Sequence, residues 1–160
     1  VDVVELGMRR PPRVIAEALE TAGELLQIVR VRRQRRTGEP LIVSEAWLPG
    51  ELADALTESA LRRAPLYELL SDAGVVLDRV RHEITAEIAG PRNAHLLDTP
   101  IGAALLRLNR LAFVADATPH HHLSALLSPQ RSRLLLSQTA DQMETADGLM
   151  IAHDVGRSTS

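Results

Sequence analysis

Hydrophobic and polar positions follow a clear pattern in residues 25–49, which read LLQIVRVRRQRRTGEPLIVSEAWLP. Two apolar runs rich in β-branched residues flank an arginine-rich segment that ends in Thr-Gly-Glu-Pro. Apolar runs of this length, joined by residues that favour turns, are typical of an antiparallel hairpin. We therefore predict strands over residues 25–31 and 41–48, with a turn at residues 37–40.

Apolar residues at helical spacing lie on both sides of this hairpin. The segment PRVIAEALETAG, residues 12–23, predicts a helix that begins at a proline and is closed by Gly23. After the hairpin, ELADALTESALRR at residues 51–63 predicts a second helix. LYELLSDA at residues 66–73 predicts a third helix, with Gly74 as its stop.

Strand alternation returns in residues 75–89. Apolar residues such as Val80 and Ile84 share one face, and charged residues such as Arg81 share the other. This alternation predicts a long, half-buried strand with a charged second face. The short apolar segment RLLLSQ at residues 133–138 is predicted to be a further strand.

The order of these elements recurs with an offset near eighty residues. PRNAHLLDTPIG mirrors PRVIAEALETAG, and LLRLNRLAFV mirrors LLQIVRVRRQ, so that Arg110 corresponds to Arg30. An internal duplication of a helix–strand–strand unit explains this recurrence. We predict an α+β fold, with a central antiparallel sheet built from two repeated helix–strand–strand units and helices packed on one side.

Composition limits the chemistry that the chain offers. Its 160 residues are enough for one domain, the net charge is −3, and cysteine is absent. Disulfides and thiol nucleophiles are therefore excluded. Only three aromatic residues are present, which argues against base stacking on single-stranded nucleic acid. No apolar run is long enough to span a membrane, and we predict a cytoplasmic protein without a cofactor.

The tract His120-His121-His122 has the composition of a metal site. In a strand, however, His120 and His122 share a face while His121 points to the other, and no acidic pair lies nearby to complete the ligand set. We predict that the tract binds no metal.

Several segments together resemble the UTRA domain, the effector-binding half of the HutC branch of GntR-type transcriptional regulators. They are IVRVRR followed by GEP and SEAWLP, then APLYELLSDAGV, HEITAEIA and LLRLNRL. The resemblance implies a chorismate-lyase-like fold, a homodimer, and an N-terminal winged-helix domain that contacts DNA. It predicts a linker or edge strand at residues 1–11, a UTRA-like ligand-binding domain at 12–140, and a loosely ordered tail at 141–160.

The resemblance also implies an effector site between the sheet and a cap helix, with arginines of the first hairpin strand holding an anion. Counted back from the Gly-Glu-Pro turn, the arginine pair of the family falls on Arg32 and Gln34. Counted by the local Arg-Val-Arg, it falls on Arg30 and Arg32. Two guanidinium groups on one strand face can grip a carboxylate or phosphate. The alternative is a solvated arginine face.

Other candidate residues also follow from the resemblance. Tyr67 matches a ligand-facing tyrosine, or else packs a helix on the sheet. Glu83 either binds an amine or hydroxyl or pairs with Arg81 or Arg107. His121 stands where the family often has an acidic residue. The complete predicted set of ligand-binding residues is Arg30, Arg32, Ser44, Tyr67, Glu83, His121 and Ser132.

We therefore predict a non-enzymatic effector-binding and dimerisation domain that senses a small anionic metabolite and modulates DNA binding by an attached winged-helix domain. Two alternatives stay open. One is a dimerisation module with a vestigial pocket, because Pro65 and the segment 130–132 depart from the pattern of the family. The other is a chorismate-lyase-like enzyme that uses Arg30, Arg32 and Glu83.

Overall fold

A computed structural model describes residues 1–141 of the chain. Its elements, in chain order, are β1 (Asp2–Arg9), α1 (Arg13–Ala18), β2 (Leu25–Arg33), β3 (Pro40–Leu48), α2 (Glu58–Arg63), α3 (Leu66–Asp72), β4 (Arg79–Ile88), α4 (Pro91–Leu97), β5 (Ala104–Val114) and β6 (Thr118–Leu127). Single 3₁₀ turns occupy Gly50–Leu52 and Ala115–Ala117.

The strands form one antiparallel sheet in the order β1-β2-β3-β6-β5-β4. The predicted hairpin is confirmed as β2 and β3, in which Arg30 lies opposite Ser44. The α+β class and the central antiparallel sheet are confirmed as well.

The sheet order is symmetrical about the contact between β3 and β6, as a duplication requires. Each unit contains one more strand than predicted, because β1 corresponds to β4 at the two edges of the sheet. Equivalent elements are offset by 77 to 79 residues: they begin at Asp2 and Arg79, Arg13 and Pro91, Leu25 and Ala104, and Pro40 and Thr118.

Helices cover both faces of the sheet, which corrects the prediction of helices on one side. On the face we call the α3 face, α2 and α3 bury Leu61, Leu66 and Leu70 against Ile28 and its neighbours. On the opposite face, which we call the α4 face, α4 packs on β2, β3, β5 and β6, and the segment from α1 packs around Trp47. The equivalent helices α1 and α4 share a face, whereas α2 and α3 connect the two units and cover the other.

Two predicted helices are shorter than their patterns indicated. The first ends at Ala18, and Glu20 then takes a left-handed φ of 52°. The second is divided into a 3₁₀ turn and α2, because the Thr57 hydroxyl accepts a hydrogen bond from the N–H of Ala60 and starts a new helix there. Helix α3 forms as predicted, and Gly74 follows it with a φ of 85°.

The predicted half-buried strand is an edge strand that is mostly exposed on both faces. It begins at Arg79, and its apolar residues Ile84 and Ile88 are 49% and 74% exposed. Residues 133–138 form no strand in the described part of the chain, and Leu135 is exposed there. The predicted loose tail at 141–160 lies outside the described residues, apart from Asp141.

Candidate functional site

On the α3 face, four residues that pair with one another form a row across β2, β3, β6 and β5. Ser44 and Ala125, which lie opposite each other on β3 and β6, form its centre. Arg30 flanks them on β2, and Leu108 flanks them on β5. Ser44 and Ala125 have smaller side chains than Arg30 and Leu108 on either side of them.

Arg30 and Arg32 lie on this face at one side of the small residues. Arg30 is half-buried and donates to the carbonyl of Leu61, at 3.4 Å, near the end of α2. Burial, and secondarily the charge of Arg32, lowers the pKa of Arg30. Arg32 is exposed opposite Ile42, whereas Gln34 lies in the turn beyond β2. The two arginines are therefore neighbours on one face, and Gln34 is not on the strand.

Tyr67 and His121 meet below α3 at the other end of the same face. Their ring centroids lie 5.7 Å apart. The Tyr67 hydroxyl and the His121 Nε2 are both buried and have no hydrogen-bond partner in the structure that residues 1–141 form. Each such atom costs about 1–3 kcal/mol. A ligand group that bonds to both would remove this cost.

His121 carries no charge at neutral pH. It is fully buried, and burial together with the adjacent His120 and His122 lowers its pKa to about 4. Its Nδ1 lies 2.8 Å from the Nδ1 of His120, so one of the two nitrogens carries the hydrogen. The neutral imidazole then presents its Nε2 as either an acceptor or a donor, depending on this tautomer.

Arg110 belongs to this site, although the candidate residues from the sequence did not include it. It lies on β5 opposite Leu123, diagonally beside His121, and its Nε is buried without a partner in the described residues. The signal that could have identified it was its correspondence with Arg30 in the repeat. The duplication thus places Arg30 of the first unit and the corresponding Arg110 of the second on the same α3 face.

A cleft of about 530 Å³ opens at the end of α3. Residues from the Gly50–Leu52 turn, from the loop after α3 and from the β5–β6 connection line it, among them Glu51, Val75, Val114 and His120. His120 therefore connects this cleft with the buried imidazole of His121.

Glu83 and Ser132 do not join the other candidate residues. Glu83 lies on the α4 face, where it accepts a hydrogen bond from Asn109 at 3.3 Å. The alternative in which Glu83 pairs with Arg81 or Arg107 is wrong, since no salt bridge among the described residues includes Glu83. Arg107 forms two hydrogen bonds with Glu87 instead, at 2.6 and 2.8 Å.

Ser132 follows β6 in a turn, where its backbone N–H donates to the carbonyl of Ser128. The adjacent Arg131 donates to the carbonyls of Pro40 and Asp98 and so ties this turn to the end of the β2–β3 hairpin. Ser132 is thus near the end of the sheet that carries Arg32, away from Tyr67.

The histidine tract is divided between the two faces. His122 lies opposite Trp47 on the α4 face, while His121 lies on the α3 face. Among residues 1–141, no three metal-ligating side chains come close enough to hold an ion. In the same range, no helix has the length and apolar character needed to cross a bilayer.

Comparisons with known proteins agree with this architecture. The chain is 28% identical to the ligand-binding domain of a protein designated as a GntR-family transcriptional regulator from Bordetella bronchiseptica, with a TM-score of 0.75 over 86% of this chain and 88% of that one. A protein designated as a transcriptional regulator from Streptomyces coelicolor is 29% identical, with a TM-score of 0.77 over 86% and 93%. The effector-binding domain of the Bacillus subtilis trehalose repressor, at 17% identity and a TM-score of 0.74 over 86% and 96%, shares the fold.

A curated relative, the HTH-type transcriptional regulator Rv0792c from Mycobacterium tuberculosis, is 29% identical over 124 residues. These residues make up 74% of this chain and 45% of the relative, so the chain spans less than half of that protein. The family model of the UTRA domain matches residues 1–129. The chain belongs to the UTRA domain family.

Proposed function

We propose that this UTRA domain is the effector-binding domain of a GntR-family transcriptional regulator and that it senses a small anionic metabolite. One observation carries this proposal. Arg30 and Arg32 lie on the same sheet face beside the small residues Ser44 and Ala125, and no salt bridge in the described residues neutralises either arginine. Two neighbouring guanidinium groups without an acidic partner favour binding of a carboxylate or phosphate.

The contacts of Arg30 offer a route from the ligand to the N-terminal end of the domain. Arg30 donates to the carbonyl of Leu61 in α2, and on its other side it lies opposite Val3 in β1. An anion that draws the guanidinium towards itself weakens the bond to α2, which itself packs on β1. Ligand binding then shifts the position of β1 and of a winged-helix domain attached before it.

The open edge of β4 supports self-association into a homodimer. In the described residues only β5 pairs with this strand, and Ile84 and Ile88 are exposed on it. If two copies pair antiparallel about Ile84, Val80 of each copy lies opposite Ile88 of the other, and Arg81 lies opposite Glu87. Such pairing buries apolar side chains and matches opposite charges.

The domain binds its ligand without turnover in this proposal. The alternative enzyme required Arg30, Arg32 and Glu83 in one site, but Glu83 lies on the α4 face, across the sheet from both arginines. The geometry therefore gives the chorismate-lyase-like reaction no carboxylate from Glu83.

Thermal unfolding of the chain with a panel of carboxylated and phosphorylated metabolites tests the proposal. A ligand at one hundred times its Kd adds about 2.7 kcal/mol of stability. We expect an anion to raise the Tm of the wild type but not that of an Arg30→Gln, Arg32→Gln double variant. Arg36→Gln, in the exposed turn, is the matched control and keeps the response. The ligand is recovered chemically unchanged.

Two results would oppose the proposal. One is a panel in which no anion raises the Tm of the wild type. The other is a response that survives in the double variant, because binding would then not depend on the two arginines.

A further inference from the structure

We propose that the ligand is acidic at both ends, with one acidic group held by Arg30 and Arg32 and the other by Arg110 together with Tyr67. This inference rests on the proposed function and specifies its ligand class. It assigns Arg110 as a binding residue, and it makes the second unit of the duplication supply the cation for the second acidic group.

The two arginine positions lie at a suitable spacing across the α3 face. Arg30 is on β2 and Arg110 is on β5, and β3 and β6 lie between these strands. Three interstrand spacings and one step of two residues along a strand separate their Cα atoms by about 16 Å. Both long side chains start from the same face, so a ligand that joins the two guanidinium groups needs only a short carbon chain between its acidic ends.

The second end of the site offers hydrogen-bond donors without an acidic partner. The Arg110 Nε and the Tyr67 hydroxyl are buried and unpaired in the described part of the chain. The fully buried His121 has an unpaired Nε2 beside them, 5.7 Å ring to ring from Tyr67. A carboxylate accepts bonds from both donors, which a neutral apolar group cannot do.

Arg107, on the α4 face, has the acidic partner that Arg110 lacks on the α3 face. Arg107 is three residues before Arg110 on the same strand but lies on the α4 face. There it bonds both oxygens of Glu87 and also the hydroxyl of Ser124. On the α3 face, the residue opposite Arg110 on β4 is His82, and none of the described salt bridges includes Arg110. One face thus neutralises its arginine, and the other leaves its arginine for a ligand.

Matched acids on the purified chain test the inference. The probes are malonate, succinate, glutarate and adipate, each compared with the monocarboxylate of the same chain length, and Kd is measured by titration calorimetry. We expect one dicarboxylate to bind about 10- to 100-fold tighter than its monocarboxylate, as a charge-assisted hydrogen-bond pair implies. Arg110→Gln removes this advantage, so that the dicarboxylate binds no tighter than its monocarboxylate. Arg30→Gln weakens the binding of both acids.

Two further variants control for indirect effects. Arg79→Gln removes a positive charge on the α4 face, where Arg79 of β4 stacks over Phe113. We expect this variant to keep the preference for the dicarboxylate. Arg110→Lys preserves the cation and keeps part of the preference. The Tm of each variant without ligand establishes that it is folded.

The outcomes separate this inference from the proposed function. If a monocarboxylate binds in an Arg30-dependent manner but the dicarboxylate has no advantage, or if Arg110→Gln leaves that advantage intact, the inference fails and anion sensing stands. If neither acid of any pair binds the wild type, the inference fails and anion sensing is opposed as well.

Discussion

The rings of Tyr67 and His121 lie 5.7 Å apart with an interplanar angle of 52°, and each ring has a buried polar atom without a hydrogen-bond partner in the described residues. Tyr67 comes from α3 and His121 from β6, so a contact between the covering helix and the sheet forms one end of the site. Packing alone does not require these polar atoms, because phenylalanine fills similar space without an unpaired hydroxyl. Two consequences can be measured.

Tyr67→Phe removes the unpaired hydroxyl and keeps the ring. We expect the free energy of unfolding without ligand to stay the same or to rise by up to about 1 kcal/mol, because a buried donor without a partner is lost. The affinity for an anionic ligand falls by about tenfold, since the hydroxyl donates to that ligand. Urea unfolding and ligand titration measure the two effects. A loss of stability well above 1 kcal/mol would mean that the hydroxyl holds the fold together.

The buried His121 makes stability depend on pH. Its pKa in the folded chain is about 4, below the ordinary value of 6.5, because burial disfavours the charged ring. The unfolded state therefore binds a proton first as pH falls, and stability decreases from about pH 6.5 down to about pH 4. At pH 5 the loss from this one group is about 2 kcal/mol relative to neutral pH.

Urea unfolding at pH 7.5 and pH 5 measures this loss, and His121→Gln is the variant that isolates it. His120 and His122 also have lowered pKa values and remain in the variant. The wild type should lose more stability between the two pH values than the variant does. Equal losses would show that His121 titrates as an ordinary histidine.

The sequence predicted the sheet well because strand alternation and turn residues are local signals. The β2–β3 hairpin and α3 with Gly74 after it follow from such signals. The duplication follows from the recurrence of the same patterns about eighty residues later. The division of residues 51–63 at Thr57 was missed, since a helical stripe through Leu52 and Leu56 is equally consistent with two buried leucines in an irregular turn.

Which face each residue occupies was harder to predict than which element contains it. Glu83 was grouped with Tyr67 and His121, yet strand pairing sends Glu83 to the other side of the sheet. Pairing partners are set by long-range contacts and by register shifts such as the one between Ala112 and Phe113, and these leave no local signal. Arg110 is different, because its correspondence with Arg30 in the repeat was a usable signal that the list of candidate residues did not apply.

Ile84→Asp tests the proposed pairing of two copies along β4. Because Ile84 would lie opposite itself across the symmetry axis, the substitution places two like charges together and removes apolar contact. We expect the molecular mass measured by light scattering to fall from that of a dimer to that of a monomer. Ile101→Asp is the control, since Ile101 is 70% exposed but lies outside β4. A dimer that persists in Ile84→Asp would exclude this interface.

Arg107→Leu distinguishes the structural arginine of the α4 face from the ligand arginines of the α3 face. The substitution leaves Glu87 and Ser124 without their half-buried partner, and side chains that are 28% exposed retain some hydration. We therefore expect a loss of about 1–2 kcal/mol in the free energy of unfolding, less than for a fully buried pair. The Kd for an anionic ligand should stay within about twofold of the wild type, because Arg107 lies across the sheet from the site.

Arg110→Gln should show the opposite pattern, with little loss of stability and weaker binding of a dicarboxylate. If Arg107→Leu abolished binding while the chain remained folded, the ligand would lie on the α4 face.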